Sequence, residues 1–297
     1  MIFPSKQRTS RIPVLVLLAL LLAFVGQACE LSAFTGTAPA KPESSERQLF
    51  NGVRYFIEVS DSPRLMVAHV VTVDLKEAGV RVLVTPAEDA NAEKPLSART
   101  TSEFLQGFEV QLAVNGSGFK PWYVLGPFFY PHTGDRVRPL GYAVSRGTAY
   151  STDTGKQPVL YFSPNNKASI LIPPNKVDNA IAGLDWILQN GESIDGLGKS
   201  VHPRTAAGVN RAGSKLVIIV VDGRQPGYSE GATLNDVVKL MLRFGAWDAI
   251  NLDGGGSSTL VIADENGEPI VLNSPIHLGI PGNERPVGNH LGIFAKP

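Results

Sequence analysis

Short apolar runs rich in β-branched residues recur along the chain and are separated by frequent glycine and proline. Runs of this length and composition are typical of β-strands, and the 30 Gly and 22 Pro among 297 residues supply the turns between them. A chain with this pattern is expected to build sheets rather than a helical bundle. The runs are Tyr55–Val59, Met66–Val73, Val80–Val84, Gln111–Val114, Lys215–Val221 and Leu260–Ile262.

Two segments have a helical pattern instead. In Thr233–Phe244 the apolar residues fall on one face, Thr233 and Asp236 have capping-box spacing, and Gly245 follows as a stop signal. Thr101–Gln106 is a weaker helical segment. Few helices, many strands and no regular β-α-β alternation predict an α+β fold. We expect a single domain of twisted mixed or antiparallel β-sheets with a few packed helices.

The first 28 residues have the layout of a secretory signal peptide or N-terminal anchor. Three basic residues and no acid precede the apolar run Ile12–Val25, which is too short to span a membrane comfortably. Small residues at Gly26 and Ala28 then precede Cys29, the only cysteine. Cys29 is either a lipid attachment site or a bystander thiol next to an ordinary cleavage site. Both readings predict an extracytoplasmic protein, held at a membrane only through this segment or a lipidated Cys29.

The remainder divides into a tether and one folded domain. Residues 29–47 are rich in Ser, Thr, Ala, Pro and charge without an apolar period, and they predict a flexible tether. Residues 48–297 suffice for one domain with a substantial core. A single cysteine forms no disulfide within one chain, so this domain depends on its core. Without the leader the net charge is about −3, which argues against a nucleic-acid partner.

Several familiar kinds of site are excluded by their spacing. Glu192–Ser200 resembles a P-loop, but Ser193 occupies the first glycine position and His202-Pro203 stands where a helix should begin. No His-Glu-x-x-His motif, nucleophile elbow or paired-cysteine motif occurs. The sequence requires no cofactor. A divalent cation near Asp222 or Asp253 is conceivable, although no ligand spacing demands one.

Three polar clusters follow or begin apolar runs, and each has two interpretations. Asn115-Gly116 either bonds a sugar hydroxyl or forms a glycine hairpin. Arg204 lies beside Pro203. Its guanidinium either binds a phosphate or carboxylate group, or it is solvated at the protein surface. Asp222-Gly223 ends a seven-residue apolar run, where the carboxylate acts as base, orienting group or metal ligand, or only caps a turn.

The remaining two clusters lie nearer the C-terminus. Asp253-Gly254-Gly255-Gly256-Ser257-Ser258 has more glycines than a tight hairpin requires, and its consecutive amides and hydroxyls predict an anion nest. Arg285 lies in a polar loop before the final strand. It is either a second anion contact or a surface partner of Glu284.

In chain order, these motifs resemble those of the phosphodiester glycosidase family. The resemblance covers about residues 105–296, and several motifs in one order are more specific than any of them alone. The segments that carry it are Asn115-Gly-Ser-Gly-Phe119, Pro203-Arg-Thr-Ala-Ala-Gly-Val209, Asp222-Gly-Arg224, Asn251-Leu-Asp-Gly-Gly-Gly-Ser-Ser258 and Arg285-Pro-Val-Gly-Asn289.

The resemblance implies hydrolysis of a glycosyl-1-phosphodiester to a free sugar and a phosphomonoester. The substrate would be an extracytoplasmic glycan or glycolipid, and Asp253 the principal catalytic carboxylate, with Asp222 as the second carboxylate or its orienting group. The remaining predicted site residues bind substrate or phosphate: Arg204, Thr205, Asn115, Gly116, Asn251, Gly254, Gly255, Gly256, Ser257, Ser258, Arg224 and Arg285.

Two alternatives remain open at this stage. One is a non-catalytic cell-surface protein that binds polysaccharide or assists exopolysaccharide assembly. The other keeps the chemistry but acts on wall polymers such as teichoic-acid-like chains. The enzyme reading requires Asp222, Asp253, Arg204 and Asn115 to meet at one cleft.

Overall fold

The computed structural model of the chain describes residues 39–121, 131–152 and 157–297. The predicted leader, residues 1–28, and most of the predicted tether lie outside these ranges. Within them, no helix combines the length and apolar character needed to cross a membrane.

Strands dominate the described part of the chain. They are β1 (Ser45–Phe50), β2 (Val53–Ser60), β3 (Met66–Asp74), β4 (Arg81–Val84), β5 (Leu96–Ser97), β6 (Leu112–Asn115), β7 (Phe119–Lys120), β8 (Arg136–Pro139), β9 (Ala143–Ser145), β10 (Thr148–Ser151), β11 (Val159–Phe162), β12 (Ala168–Ser169), β13 (Asn179–Ala182), β14 (Asp185–Gln189), β15 (Glu192–Ser193), β16 (Arg204–Val209), β17 (Lys215–Val221), β18 (Asp248–Asn251), β19 (Leu260–Ala263), β20 (Pro269–Val271) and β21 (His290–Phe294).

Both predicted helices are present. Helix α1 spans Thr101–Phe108 and helix α2 spans Leu234–Arg243. Each begins with a reciprocal capping box; in α2 the Thr233 hydroxyl accepts from the Asp236 amide and the Asp236 carboxylate accepts from the Thr233 amide. The predicted stop, Gly245, has a φ of +84°, which favours glycine.

The strands form four sheets, in which every pairing between named strands is antiparallel. An eight-stranded sheet has the order β1-β2-β3-β17-β16-β18-β14-β15, and a five-stranded sheet has the order β20-β19-β6-β21-β4. A second five-stranded sheet has the order β10-β9-β13-β11-β12, and a three-stranded sheet has the order β5-β8-β7. The α+β prediction therefore holds only in outline, because the described residues contain two α-helices and are dominated by sheet.

Strand β17 is apolar at every position after Lys215 because it is buried on both faces. Leu216, Ile218 and Val220 face the main core, which also contains residues of β4, β6, β19 and β21. Val217, Ile219 and Val221 face a second core beneath helix α2. A strand buried on both faces has no polar alternation.

The start of the folded domain differs from the prediction. Strand β1 begins at Ser45, inside the segment expected to be a tether, and pairs with β2 from Ser45↔Ile57 onward. Its first four side chains are exposed. An edge strand without a buried face leaves no apolar period in the sequence, which is why composition alone indicated a tether.

Three strand ends, from the eight-stranded sheet and from the five-stranded sheet that contains β6, meet at one place. Strand β6 ends at Asn115, β18 ends at Asn251, and β16 begins at Arg204. In the eight-stranded sheet Asn251 is opposite Ala206, so the end of β18 adjoins the start of β16. This junction carries the candidate active site.

Candidate active site

Asp253 is held by its backbone at the junction of the two sheets. Its amide donates to the Gly116 carbonyl at 3.0 Å, and its carbonyl accepts from Asn115 Nδ2 at 2.7 Å. The Asn115 Oδ1 accepts from the Thr205 hydroxyl at 2.8 Å, which connects β6 to β16. Asn115 and Thr205 are fully buried. These residues therefore support Asp253 from behind, whereas the sequence predicted direct contacts with substrate.

The side chain of Asp253 lies at a cavity of about 390 Å³. The cavity unites eight of the predicted site residues and adds three that were not predicted, Leu184, His202 and Pro203. Its lining residues are Leu184, His202, Pro203, Arg204, Arg224, Asn251, Asp253, Gly254, Gly255, Gly256 and Arg285.

Three arginines make this cavity electropositive. Burial lowers the pKa of Arg204 and of Arg285, and the charge of Arg224 lowers both further. The pKa of His202 is lowered as well, first by burial and then by Arg224 and Arg204. Like charges held this close repel one another, and a bound anion relieves that repulsion.

Two of the arginines are held in place by hydrogen bonds to carbonyl and imidazole acceptors. Arg204 donates from Nε to the Ala232 carbonyl at 3.2 Å and from Nη2 to the Ser200 carbonyl at 2.7 Å. Arg285 donates from Nε to His277 Nδ1 at 3.1 Å. Burial, with the charge of Arg285, lowers the pKa of His277 to about 4, so this imidazole is neutral near pH 7 and accepts the bond.

The pKa of Asp253 is raised above the ordinary aspartate value. Burial is the main cause, and it is opposed by a hydrogen bond with Ser257, by the charge of Arg285 and by the Gly254 amide. That amide donates to Asp253 Oδ1 at 3.0 Å. A carboxylate with a raised pKa is a stronger base than an ordinary one, and such groups are frequent at active sites.

Two of the three glycines pack closely against arginine side chains. Gly255 has a φ of +64°, and a Cβ there would lie 3.1 Å from Arg224 Nη2. A Cβ on Gly256 would lie 2.5 Å from Arg285 Nη2, which is closer than real contacts allow. The glycine loop therefore lets two guanidinium groups lie directly against its backbone.

The predicted anion nest is not formed, because the loop uses most of its amides internally. Besides the Gly254 amide, that of Gly255 donates to the Pro203 carbonyl at 2.9 Å, and those of Ser257 and Ser258 donate within the 3₁₀ turn at 3.3 Å. The Ser257 hydroxyl accepts from Arg285 Nη1 at 3.3 Å, and Ser258 is buried. The arginines rather than the amides present donors to the cavity.

Asp222 does not share the cavity with Asp253. It is 1 % exposed, and both of its oxygens are occupied. Oδ2 contacts His69 Nε2 at 2.9 Å and accepts from Tyr228 Oη at 2.8 Å, while Oδ1 accepts from Asn273 Nδ2 and the Ser274 amide, both at 2.9 Å. Of the four residues expected to meet at one cleft, Asp253 and Arg204 line the cavity and Asn115 lies directly behind Asp253. Asp222 does not, because its carboxylate faces its own buried network. The expectation of a cleft with both aspartates is therefore wrong, and the enzyme reading now depends on Asp253 and the arginines.

A different acid, Asp185, lies near the cavity. It begins β14, opposite Asn251, and Asn251 Nδ2 donates to Asp185 Oδ2 at 3.3 Å. Asp185 also raises the pKa of Arg204. Together with Arg204 and His202 it lines an adjoining cavity of about 620 Å³. No motif marked Asp185, since it stands alone at the start of a strand.

The described residues contain no cluster of three or more metal-binding side chains. A metal site was left open by the sequence, and the described geometry gives no set of ligands for one.

The fold and the cavity define a class of protein: an antiparallel sheet protein whose cleft places one carboxylate among three arginines. Residues 108–294 match the family described as Phosphodiester glycosidase. The match covers more than half of the chain, and the chain belongs to the phosphodiester glycosidase family. The resemblance seen in the sequence motifs is thereby confirmed.

Individual relatives agree with this assignment. The sequence is 28% identical over 164 residues to N-acetylglucosamine-1-phosphodiester alpha-N-acetylglucosaminidase of Bos taurus, an alignment that covers 46% of this chain and 30% of the bovine protein. The fold is similar to the zebrafish catalytic domain of that name, auto-inhibited by its pro-peptide, with a TM-score of 0.58, 22% identity and coverage of 87% and 86%. A hypothetical protein from Synechocystis gives a TM-score of 0.62 at 13% identity, covering 86% of this chain and 64% of that one.

Proposed function

We propose that this protein hydrolyses a glycosyl-1-phosphodiester, releasing a free sugar and a phosphomonoester. The observation that carries the proposal is the cavity in which Asp253 lies among Arg204, Arg224 and Arg285. Arginine is well suited to binding a phosphodiester, and a carboxylate beside that anion is what a glycosidase needs at the anomeric carbon. Family membership and the name of the bovine relative support the same reaction.

In this reaction the bond between the anomeric carbon and the phosphate oxygen breaks. The electron pair stays with the phosphate, water supplies the hydroxyl of the free sugar, and its proton is released. Because a phosphate oxygen leaves readily, little proton donation is needed. The larger demands are to stabilise the leaving phosphate and the positive charge that develops on the sugar. We assign the first to the arginines and the second to ionised Asp253.

The rigid support of Asp253 serves this chemistry. Catalysis by a fixed carboxylate depends on its position, and small displacements reduce the rate strongly. Two hydrogen bonds hold the backbone of Asp253. Its amide donates to the Gly116 carbonyl, and its carbonyl accepts from Asn115 Nδ2. Asn115, Gly116 and Thr205 are thus assigned to positioning the carboxylate rather than to binding the sugar.

We propose that the substrate is an extracytoplasmic glycan or glycolipid. The secretory layout of residues 1–28 supports this location. The wall-polymer alternative is the same chemistry on a longer chain and is a subset of this proposal.

The reaction is tested with the full chain and a panel of sugar-1-phosphodiesters in ¹⁸O-labelled water. Cleavage at the anomeric carbon places the label in the free sugar, whereas cleavage at phosphorus places it in the phosphomonoester. We expect the label in the sugar. Asp253→Asn serves as the inactive control, and Asp264→Asn, an aspartate at the β19–β20 turn outside the cavity, as the matched active control.

Label in the phosphate would overturn the glycosidase assignment. Binding of the panel without any turnover would support the polysaccharide-binding alternative instead.

A further inference from the structure

A second, larger cavity meets the arginine cavity at the candidate catalytic carboxylate. Its volume is about 670 Å³, and Asp253, Arg285 and Leu184 line both cavities. The larger cavity also contains Lys94, Lys120 and Arg138, with Glu93 as its other acid. A substrate that extends from the phosphate across Asp253 therefore enters a second basic region.

Lys120 and Arg138 are placed unfavourably for stability. They are directly opposite each other in the antiparallel pair β7–β8, and both are exposed. Like charges in opposing positions of a sheet destabilise it. No carboxylate among the described residues forms an ion pair with either side chain. Arg136, two positions earlier on β8, contacts Glu88 by contrast.

The rest of the cavity suits a sugar ring next to those charges. Phe119, Leu140 and Leu184 supply apolar surface, against which the carbon face of a sugar ring packs. Lys94 adds a third cation from the loop before β5. Three cations that form no ion pair among the described residues, beside an apolar surface, fit an anionic sugar better than a neutral one.

We infer that Lys94, Lys120 and Arg138 form a second anion subsite, which binds an anionic group carried by the sugar side of the scissile bond. The preferred substrate is then a polyanionic glycan, such as a chain of repeating sugar phosphates, rather than a neutral sugar attached to one phosphate. This inference rests on the proposed function, because it places the scissile phosphate at Arg204 and Arg224.

The test compares two synthetic probes, a methyl phosphodiester of α-N-acetylglucosamine 1-phosphate and the same compound with a second phosphate at its sixth carbon. Calorimetric binding is measured on the Asp253→Asn chain, and kcat/KM on the active chain. We expect the second phosphate to tighten binding about 10- to 100-fold, the range for one charge-assisted contact. A third probe with a carboxylate at the same carbon distinguishes a phosphate-specific subsite from a general anion subsite.

In Lys120→Gln/Arg138→Gln this preference should fall to about 1, whereas Arg136→Gln, the matched control on the same strand, should retain it. Removing the like-charge pair should not lower the Tm. If the double variant does not fold, Lys94→Gln, outside the strands, should still reduce the preference.

Equal affinities for the two phosphate probes, or an unchanged preference in the variants, would overturn the subsite. The hydrolysis measurement separates the two proposals. Turnover without a preference for the second phosphate would support the proposed hydrolysis and overturn the subsite. A preference without turnover would support the subsite and overturn the proposed hydrolysis.

Discussion

Asp222 and Asp253 are alike in sequence and opposite in structure. Each lies just after the end of a strand and precedes a glycine. Asp222 is saturated by four partners within a buried network, whereas Asp253 lines a cavity and is fixed chiefly through its backbone. A carboxylate whose oxygens all accept hydrogen bonds from the protein stabilises the fold. A carboxylate that is positioned through its backbone can still offer an oxygen to a substrate.

The two aspartates are nevertheless connected. Asn273 donates from Nδ2 to Asp222 Oδ1 and, at 3.0 Å, to the Ser258 carbonyl. Ser258 closes the glycine loop that follows Asp253. We therefore propose that Asp222 acts on the site through Asn273 and the loop, as a positioning residue. Variants of the two aspartates should separate loss of chemistry from loss of structure.

The largest expected effect is that of Asp253→Asn. We expect kcat/KM to fall by about 10³-fold or more, equivalent to about 4 kcal/mol. Stability should behave differently. Because the pKa of Asp253 is raised in the folded state, ionisation above that pKa weakens folding, and a neutral amide removes this cost near pH 7. Kinetics and thermal unfolding at pH 7 check both statements, and a large fall in Tm would contradict the second.

Asp222→Asn should give the reverse pattern. In the asparagine an NH₂ group replaces one of the two carboxylate oxygens, and it faces the donors from which that oxygen accepted. We therefore expect the free energy of unfolding to fall by about 2–4 kcal/mol. The activity of the molecules that remain folded should change much less than in Asp253→Asn. Urea unfolding and kinetics at low temperature measure the two effects. A 10³-fold loss of activity at unchanged stability would instead indicate that Asp222 is a catalytic residue.

Arg224→Gln tests whether the arginines beside Asp253 bind the phosphate of the substrate. Loss of one charge-assisted contact should lower kcat/KM by about 30-fold, or about 2 kcal/mol. Repulsion on Arg204 and Arg285 is relieved at the same time, so stability should not fall. Arg211→Gln is the control, since that guanidinium lies over the Trp247 ring outside the cavity. Equal effects in both variants would refute a phosphate contact by Arg224.

The smallest effect is on the pH profile. If ionised Asp253 is the working form, kcat/KM falls as the pH drops through its raised pKa, above the range of an ordinary aspartate. Arg285 lowers the pKa of Asp253, so Arg285→Gln should move the acid limb to higher pH. Profiles of both chains measure the shift. A shift to lower pH would exclude Asp253 as the titrating base.

The parts of the molecule that the sequence predicted are those with local signals. Helix α2 was marked by its capping pair and glycine stop, and the glycine loop by its surplus of glycines. Which side chains line the cavity was not local information. Asn115 and Thr205 have polar groups suited to a sugar, but each is satisfied by a partner far away in the chain.

Other residues left no signal at all. Asp185 is a single acid at the start of a strand, and the pairing of Lys120 with Arg138 depends on the register of β7 and β8. A register is fixed by the whole fold rather than by the two residues that it brings together.

The side chain of Asn115 joins the eight-stranded sheet to the five-stranded sheet that contains β6, since Asn115 belongs to β6 and contacts both Thr205 and the peptide of Asp253. The position of the candidate catalytic carboxylate therefore depends on the alignment of these two sheets. Sliding of one sheet over the other by a fraction of an ångström would misdirect Asp253 while every strand remained intact. Activity would then report on the alignment of the two sheets, and on heating it would be lost before the strands unfold.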